Sequence, residues 1–200
     1  MERIRWWAAP LAVAVLGVVL SSCSTPRPFN GDINCRFDPA SVADVGVVYD
    51  PATAEGITQA SVNFGMNAWN ATGSEAPLFY SGSGHVNQVV VYGYSDPSSI
   101  YLGYSNIPGC PYNTSTVRIN WGALAYYGQA VWNNVGAHEM GHALGLDHSP
   151  FHVADNDPYV VVPADCPSIV LMYKTIASVE VCGIQTPTTQ DIAGVNAIYE

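Results

Sequence analysis

Basic residues are scarce in this sequence: six lysines and arginines stand against sixteen aspartates and glutamates, for a formal net charge of −10 at pH 7. A chain this acidic repels the phosphates of nucleic acids and anionic lipid headgroups. We therefore expect neither as a partner. The sequence also has no CxxC pair and no internal repeat. These absences argue against a zinc–cysteine cluster and against a solenoid.

One long apolar run is present, over residues 6–20, and it follows Arg3 and Arg5. A short apolar run behind basic residues is typical of a signal peptide. The run ends in LSSC, which resembles the lipobox of bacterial lipoproteins. We therefore predict a signal peptide over residues 1–22 and a lipid-bearing Cys23, on the outer face of the cytoplasmic membrane in the cell envelope. A secreted protein cut elsewhere, or an uncleaved anchor, is the alternative.

Residues 23–44 include a proline- and glycine-containing stretch, which predicts a tether and N-terminal segment, and residues 45–200 suffice for one compact domain. Cleavage before Cys23 removes Arg3, Arg5 and Glu2, leaving four basic residues against fifteen acidic ones. The membrane would then be contacted through the lipid anchor alone. We expect a monomer.

The four remaining cysteines are even in number, and in an exported chain this suggests two disulfides. Sequence permits three connectivities. We predict Cys166–Cys182, which closes a short local loop, and Cys35–Cys110, which ties the N-terminal segment to the domain. A loop of about fifteen residues contributes roughly 3 kcal/mol on the chain-entropy model.

Hydrophobic periodicity and turn residues predict an α+β domain. The predicted strands are residues 45–50, 77–81, 86–94, 99–106 and 115–121. The predicted helices are residues 55–70, residues 129–144, and a closing helix that opens with the capping-box pattern Thr188-Thr189-Gln190-Asp191. The apolar stripe of the first helix is predicted to run through Ile57, Ala60, Phe64, Ala68 and Ala71, widened by Val62, Met66 and Trp69.

The stretch AHEMGHALGLDHS holds three of the chain's five histidines. On a helix His138 and His142 lie on the same face, one turn apart, so both can bind one metal ion. Gly145 allows a sharp turn that returns His148 toward the same point. Glu139 can reach a water on that metal without being a ligand, as a general base requires.

Three imidazole ligands with one open position are the arrangement of catalytic zinc sites, whereas structural sites have four protein ligands. We therefore predict one catalytic Zn²⁺ held by His138, His142 and His148. Iron or copper can also bind three imidazoles, and zinc is favoured among them. His85 and His152 lie outside the motif and are interpreted as ordinary solvated or packed histidines.

At these residues the chain resembles the metzincin metallopeptidases, and among them the matrixins, the family of the matrix metalloproteinases. Every position of HExxHxxGxxH is filled, and Ser149 follows the last histidine, as in matrixins. Leu171-Met172-Tyr173 is similar to the Met-turn, in which the methionine lies beneath the zinc site. The resemblance, strengthened by the Thr-x-x-Asp opening of the last helix, implies a mixed, twisted sheet with a zinc cleft over residues 45–200.

The sequence also departs from the matrixins. Lys174 stands where they usually have proline, and the stretch from Tyr92 to Trp121 lacks the histidine and aspartate pattern of a structural zinc and calcium. Asp155-Asn156-Asp157 could bind Ca²⁺, but a solvated turn is favoured there. The sequence has no PRCG-type cysteine switch, so latency by that route is not expected.

The predicted function is a zinc-dependent endopeptidase in which Glu139 activates a zinc-bound water against a peptide bond. The resemblance implies that an edge strand over residues 99–106 pairs with an extended peptide or protein substrate. It also implies a side-chain pocket among His138, the Met-turn and the segment from Tyr173 to Gln185. The alternatives are a peptidase of narrow range, or a surface lipoprotein that binds zinc or a partner without catalysis. Glu139 favours an enzyme, because metal binding does not need it.

Overall fold

The computed structural model describes residues 37, 44–53, 56–106, 113–148, 166, 170–173 and 176–199. The predicted signal peptide lies outside the described residues, as do Cys23, Cys35, Cys110 and the Asp155-Asn156-Asp157 cluster. No helix among the described residues is both long and apolar enough to cross a membrane.

The described part of the chain has an α+β fold, as predicted. Its strands are Asp44–Tyr49 (β1), Leu78–Ser81 (β2), Asn87–Tyr94 (β3), Gly103–Asn106 (β4) and Thr114–Asn120 (β5). Its helices are Gly56–Asn70 (α1), Trp121–Leu124 (α2), Gln129–Ala143 (α3), Ala177–Glu180 (α4) and Thr189–Tyr199 (α5). The three longest helices are the three that periodicity predicts.

The strands form one mixed sheet in the order β2-β1-β3-β5-β4. β1 is parallel to β2 and β3, and β3 is parallel to β5, whereas β4 is antiparallel to β5. Alternate residues of the central strands are buried on one face, among them Val89 and Val91 of β3 and Val117 and Ile119 of β5. α1 lies toward the β2 side of the sheet and α3 toward β4 and β5. β4 is therefore the edge strand beside α3.

α1 and α3 cross with their backbones in contact. A Cβ on Gly65 of α1 would lie 2.5 Å from the carbonyl oxygen of Gly136 in α3, and a Cβ on Gly136 would collide with the carbonyl of Ser61. Trp69 also donates its indole N–H to the carbonyl of Ala137, at 2.8 Å. This close crossing fixes the helix that carries the histidine motif.

The crossing explains why the predicted stripe of α1 is wrong in part. Ala60 and Ala71 are exposed. The buried face consists instead of Thr58, Ser61, Val62, Gly65, Met66 and Trp69. Small side chains face α3 because only they allow the two backbones to meet.

The strand predicted over residues 99–106 begins only at Gly103, because a turn occupies the residues before it. Asp96 accepts hydrogen bonds from the amide and hydroxyl of Ser98, at 3.2 and 2.7 Å, and its carbonyl accepts from the amide of Ser99. The strand predicted to end at Trp121 ends at Asn120, whose side chain caps α2 by accepting from Ala123 N at 3.2 Å. These side-chain hydrogen bonds compete with strand pairing.

Candidate metal centre

α3 carries His138 and His142 one turn apart, both buried. The helix is followed by Gly145, whose φ of 100° lies in the left-handed region that favours glycine. Gly145 N donates to the carbonyl of His142 at 2.9 Å, and Leu146 N donates to the carbonyl of Gly141 at 3.1 Å. This pair of bonds forms a Schellman motif, which turns the chain sharply and brings His148 back beside the helix.

The three histidines meet as predicted. One potential ligand nitrogen from each of His138, His142 and His148 lies within 4.8 Å of the others. The Nε2 atoms of His142 and His148 are 3.2 Å apart. Zinc–nitrogen bonds of about 2.0–2.1 Å in tetrahedral geometry separate two ligands by roughly 3.3 Å. This nitrogen pair therefore has the spacing that one shared ion requires.

Backbone carbonyls orient two of the rings. His138 Nδ1 lies 2.9 Å from the carbonyl of Leu171, and His142 Nδ1 lies 2.7 Å from that of Leu146. A carbonyl can only accept, so each Nδ1 carries the proton and each Nε2 presents its lone pair. Burial lowers the pKa of His142, which also favours the neutral ring that a metal needs. The donor set therefore fits a divalent metal ion such as zinc.

The carboxylate of Asp191, at the start of α5, supports the ring of His138 from a distance. It accepts the backbone N–H groups of Leu171 and Met172, at 3.0 and 3.2 Å. It also accepts hydrogen bonds from the amide and the hydroxyl of Thr188, both at 2.7 Å. These two bonds belong to the capping box predicted at the start of α5. Burial raises the pKa of Asp191, and these four hydrogen bonds offset part of the rise. One carboxylate thus fixes the turn whose Leu171 carbonyl orients His138.

Met172 is fully buried in this turn. Its sulfur lies against Gly141 of α3, 2.5 Å from where a Cβ on that glycine would be, and Trp69 lies close to the same point. The methionine predicted from the Met-turn resemblance therefore packs against α3 at Gly141, the residue that precedes His142. Tyr173, predicted to line a pocket, is also buried.

Glu139 lies between α3 and the edge strand β4. Its side chain is buried, and its Oε2 accepts a hydrogen bond from the hydroxyl of Ser105 at 2.7 Å. Its Oε1 lies over Gly103, 2.8 Å from where a Cβ there would be. Burial raises the pKa of Glu139 to about 8, against a smaller opposing effect of the Ser105 hydrogen bond. Such a raised value is common for carboxyl groups that exchange protons in active sites.

The predicted disulfide between Cys166 and Cys182 is confirmed: the sulfurs are bonded and the Cα atoms are 5.3 Å apart. The bridge spans sixteen positions, and Met172 and Tyr173 lie within that loop. It therefore braces the segment after the histidine motif.

Sequence reasoning missed Ser105, Gly103 and the metal-site role of Asp191. The Thr188-to-Asp191 pattern identifies a helix cap, but nothing in it reveals bonds to Leu171 and Met172. Ser105 and Gly103 gain their significance only when β4 lies beside α3. His85 pairs with Asp44 at 2.9 Å and stacks on Tyr80, apart from the centre.

No family model matches the sequence, and no curated protein matches it. Among solved structures, the chain is similar to high choriolytic enzyme 1, a hatching-enzyme zinc protease from the medaka fish Oryzias latipes. The two are 15% identical, with a TM-score of 0.50, over 84% of this chain and 96% of that one. At this identity the likeness concerns the fold alone, and it agrees with the α+β fold that the sequence predicts.

Proposed function

We propose that this protein is a zinc-dependent endopeptidase. The observation that carries the proposal is the three-histidine cluster on a metzincin fold, with the buried carboxyl of Glu139 one residue along the same helix. A structural metal site has no need of a buried acid beside it, because three imidazoles and a fourth ligand suffice.

His138, His142 and His148 would hold the ion. Zinc, when bound, would polarise a peptide carbonyl and make an adjacent water more acidic. The Nδ1 bonds of His138 and His142 keep both rings neutral and turned toward the ion. The same bonds raise the basicity of each ligand nitrogen.

Glu139 is proposed as the general base and acid. Its carboxylate takes a proton from the attacking water and returns it to the departing amine. A pKa near neutrality suits both transfers, because the group must gain and lose the proton in one turnover. A bound cation would lower this pKa, since positive charge favours the carboxylate.

The edge strand β4 is proposed to receive the substrate as an added, extended strand. A pocket for the side chain after the scissile bond would lie between α3 and the segment from Tyr173 to Gln185. Two hydrogen bonds support this wall: Asn133 donates to Gln185 Oε1 at 2.9 Å, and Asn134 donates to the carbonyl of Ile184 at 2.8 Å. Extended and unfolded peptide segments are the expected substrates.

Within the metzincins we propose a matrixin-like subtype, which Ser149 and the Thr-x-x-Asp cap of α5 support. Attachment through a lipid on Cys23 is likewise proposed, from the LSSC sequence alone. Both are open to direct test, by mass spectrometry of the mature N-terminus for the lipid and by inhibitor profiling for the subtype.

The test compares the purified protein with its Glu139→Ala variant on a diverse peptide library, with zinc content measured on both. We expect zinc in both and cleavage by the wild type alone, with turnover lowered at least about 100-fold in the variant. Retained cleavage by Glu139→Ala would contradict the role of the glutamate. Zinc in both proteins with cleavage by neither would favour a zinc-binding lipoprotein.

A further inference from the structure

Glu139 contacts two residues of the edge strand, Gly103 and Ser105, which lie on the same face of β4 because they are two positions apart. The hydroxyl of Ser105 donates a hydrogen bond to the carboxyl group, and the missing side chain of Gly103 leaves room for it. The intervening Tyr104 points to the other face, where Arg118 lies 5.2 Å from the centre of its ring. One face of this short strand is therefore fitted to the glutamate carboxyl group.

We infer that Ser105 is a positioning residue for Glu139, acting through its hydrogen bond to Oε2. The inference rests on the proposed function, because it assigns Ser105 a part in the same peptide hydrolysis. Ser105 does not touch the reacting atoms. It fixes the position of the carboxyl group by holding one of its two oxygens, Oε2, against β4.

A glutamate side chain needs such a restraint. Three rotatable bonds separate its carboxyl group from the helix, and burial alone does not select one orientation. A general base must lie within hydrogen-bond reach of the proton that it takes, and an error of about 1 Å can cost roughly 100-fold in rate. A hydrogen bond of 2.7 Å to one oxygen fixes both the position and the plane of the group.

Gly103, on the same strand as Ser105, supports the same orientation of the Glu139 carboxyl group. Its missing side chain leaves the volume in which Oε1, Cγ and Cδ of Glu139 lie, at 2.8–3.1 Å from an imagined Cβ. A methyl group there would displace the carboxyl group from Gly103 while leaving the Ser105 hydroxyl in place. Gly103→Ala thus tests the orientation of the carboxyl group without removing the Ser105 hydroxyl.

The strand itself is held firmly. Ser115 of β5 donates its hydroxyl to the carbonyl of Asn106 at 2.6 Å, and Thr116 N donates to the side chain of Asn106. Because the outer edge of β4 is the proposed site of substrate pairing, Ser105 links the substrate-bearing strand to the base. A single strand, β4, then sets the distance between the bound substrate peptide and Glu139.

The experiment measures kcat and KM of the full chain and of Ser105→Ala, Ser105→Thr and Gly103→Ala, together with zinc content and circular dichroism. Ser83→Ala is the matched control, because Ser83 is exposed in the connection from β2 to β3. We expect kcat to fall about 10–100-fold in Ser105→Ala and in Gly103→Ala, with KM within about 2-fold and zinc retained. Ser105→Thr, which keeps the hydroxyl, is expected to retain most of the activity.

The outcomes separate this inference from the proposed function. An active wild type, an inactive Glu139→Ala and a fully active Ser105→Ala would overturn the positioning role alone. Loss of zinc or of fold in Ser105→Ala, together with full activity in Gly103→Ala, would also overturn it, because Ser105 would then be structural. No cleavage by the wild type would overturn both proposals together.

Discussion

Glu139 is a buried acid whose protonation should be visible in the stability of the metal-free protein. Burial raises the pKa of Glu139 to about 8 in the folded chain, from an ordinary value near 4.5. Between these two values the folded state binds a proton that the unfolded state has released. Stability from this group is therefore lost as the pH rises through that window.

We predict that, in the presence of a chelator, Glu139→Gln becomes progressively more stable relative to the wild type between pH 5 and 8. The difference in free energy of unfolding should reach several kcal/mol, at about 1.4 kcal/mol for each unit of pKa change. Urea denaturation at several pH values measures it. Histidine titration contributes to the stability of both proteins, so the comparison rests on the difference between them; a pH-independent difference would show that Glu139 titrates normally.

Asp191→Asn should weaken both the fold and the metal site. The carboxylate accepts from four donors, and an amide has one oxygen for them and an NH₂ group that faces donors instead. We expect the free energy of unfolding to fall by about 2 kcal/mol and zinc affinity by roughly 10-fold, because the Leu171 carbonyl behind His138 would shift. Chemical denaturation and competition with a zinc chelator measure the two effects.

Glu75→Gln is a matched control, since Glu75 is exposed and its substitution also replaces a carboxylate with an amide. If Asp191→Asn lowered stability but left zinc affinity unchanged, the link from α5 to His138 would carry no metal-site role.

The elements of this fold differ in how far the sequence predicts them. α3 follows from the spacing of its histidines and from Gly145, and the five strands follow from their apolar, aromatic and β-branched runs and from the turn residues between them. The buried face of α1 does not follow, because Ser61 and Gly65 face α3 only once the two helices cross. β4 is shorter than the strand predicted there, because hydrogen bonds from Ser98 to the side chain of Asp96 hold the preceding residues in a turn.

The disulfide-closed loop is the element in which stability and specificity should change together. Replacing both Cys166 and Cys182 with alanine is expected to lower the free energy of unfolding by about 3 kcal/mol, from the loop-closure entropy regained by the unfolded chain. Cleavage of the peptide library should become less selective after the scissile bond. Thermal denaturation and product sequencing measure the two effects.

Reducing agent applied to the double-alanine variant provides the control, because any disulfide that it still breaks must involve Cys23, Cys35 or Cys110. Unchanged stability and unchanged selectivity in the variant would show that the bridge does not brace the pocket wall.

For the whole molecule, the metal should contribute to stability as well as to chemistry. A ligand that binds only the folded state at about 1,000 times its dissociation constant stabilises it by about 4 kcal/mol. For a domain of this size that corresponds to a rise in Tm of roughly 8–16 °C. We predict that chelation lowers the Tm by about this amount and that zinc restores it, as measured by calorimetry.

His142→Ala should show little or no such response, because it removes a ligand from the cluster. An equal response of this variant to chelator would mean that the stabilising metal binds elsewhere in the protein.

At the scale of the molecule, the sequence predicts the class of fold and the three histidines, because the motif is local and its spacing is geometric. It does not predict the group around Glu139, which combines α3 with a strand more than thirty residues earlier in the chain. Nor does it predict that Asp191 accepts hydrogen bonds from the amides of Leu171 and Met172. Contacts between distant segments depend on packing, which no local pattern records.

The position of Asp191 also bears on biosynthesis. The histidine motif is translated first, but the carboxylate that fixes the turn behind His138 belongs to the last helix described. A nascent chain that has not yet released residue 191 from the ribosome lacks this support. Full orientation of His138 is therefore reached only after the motif itself has been synthesised, once α5 can pack against the turn that holds the Leu171 carbonyl.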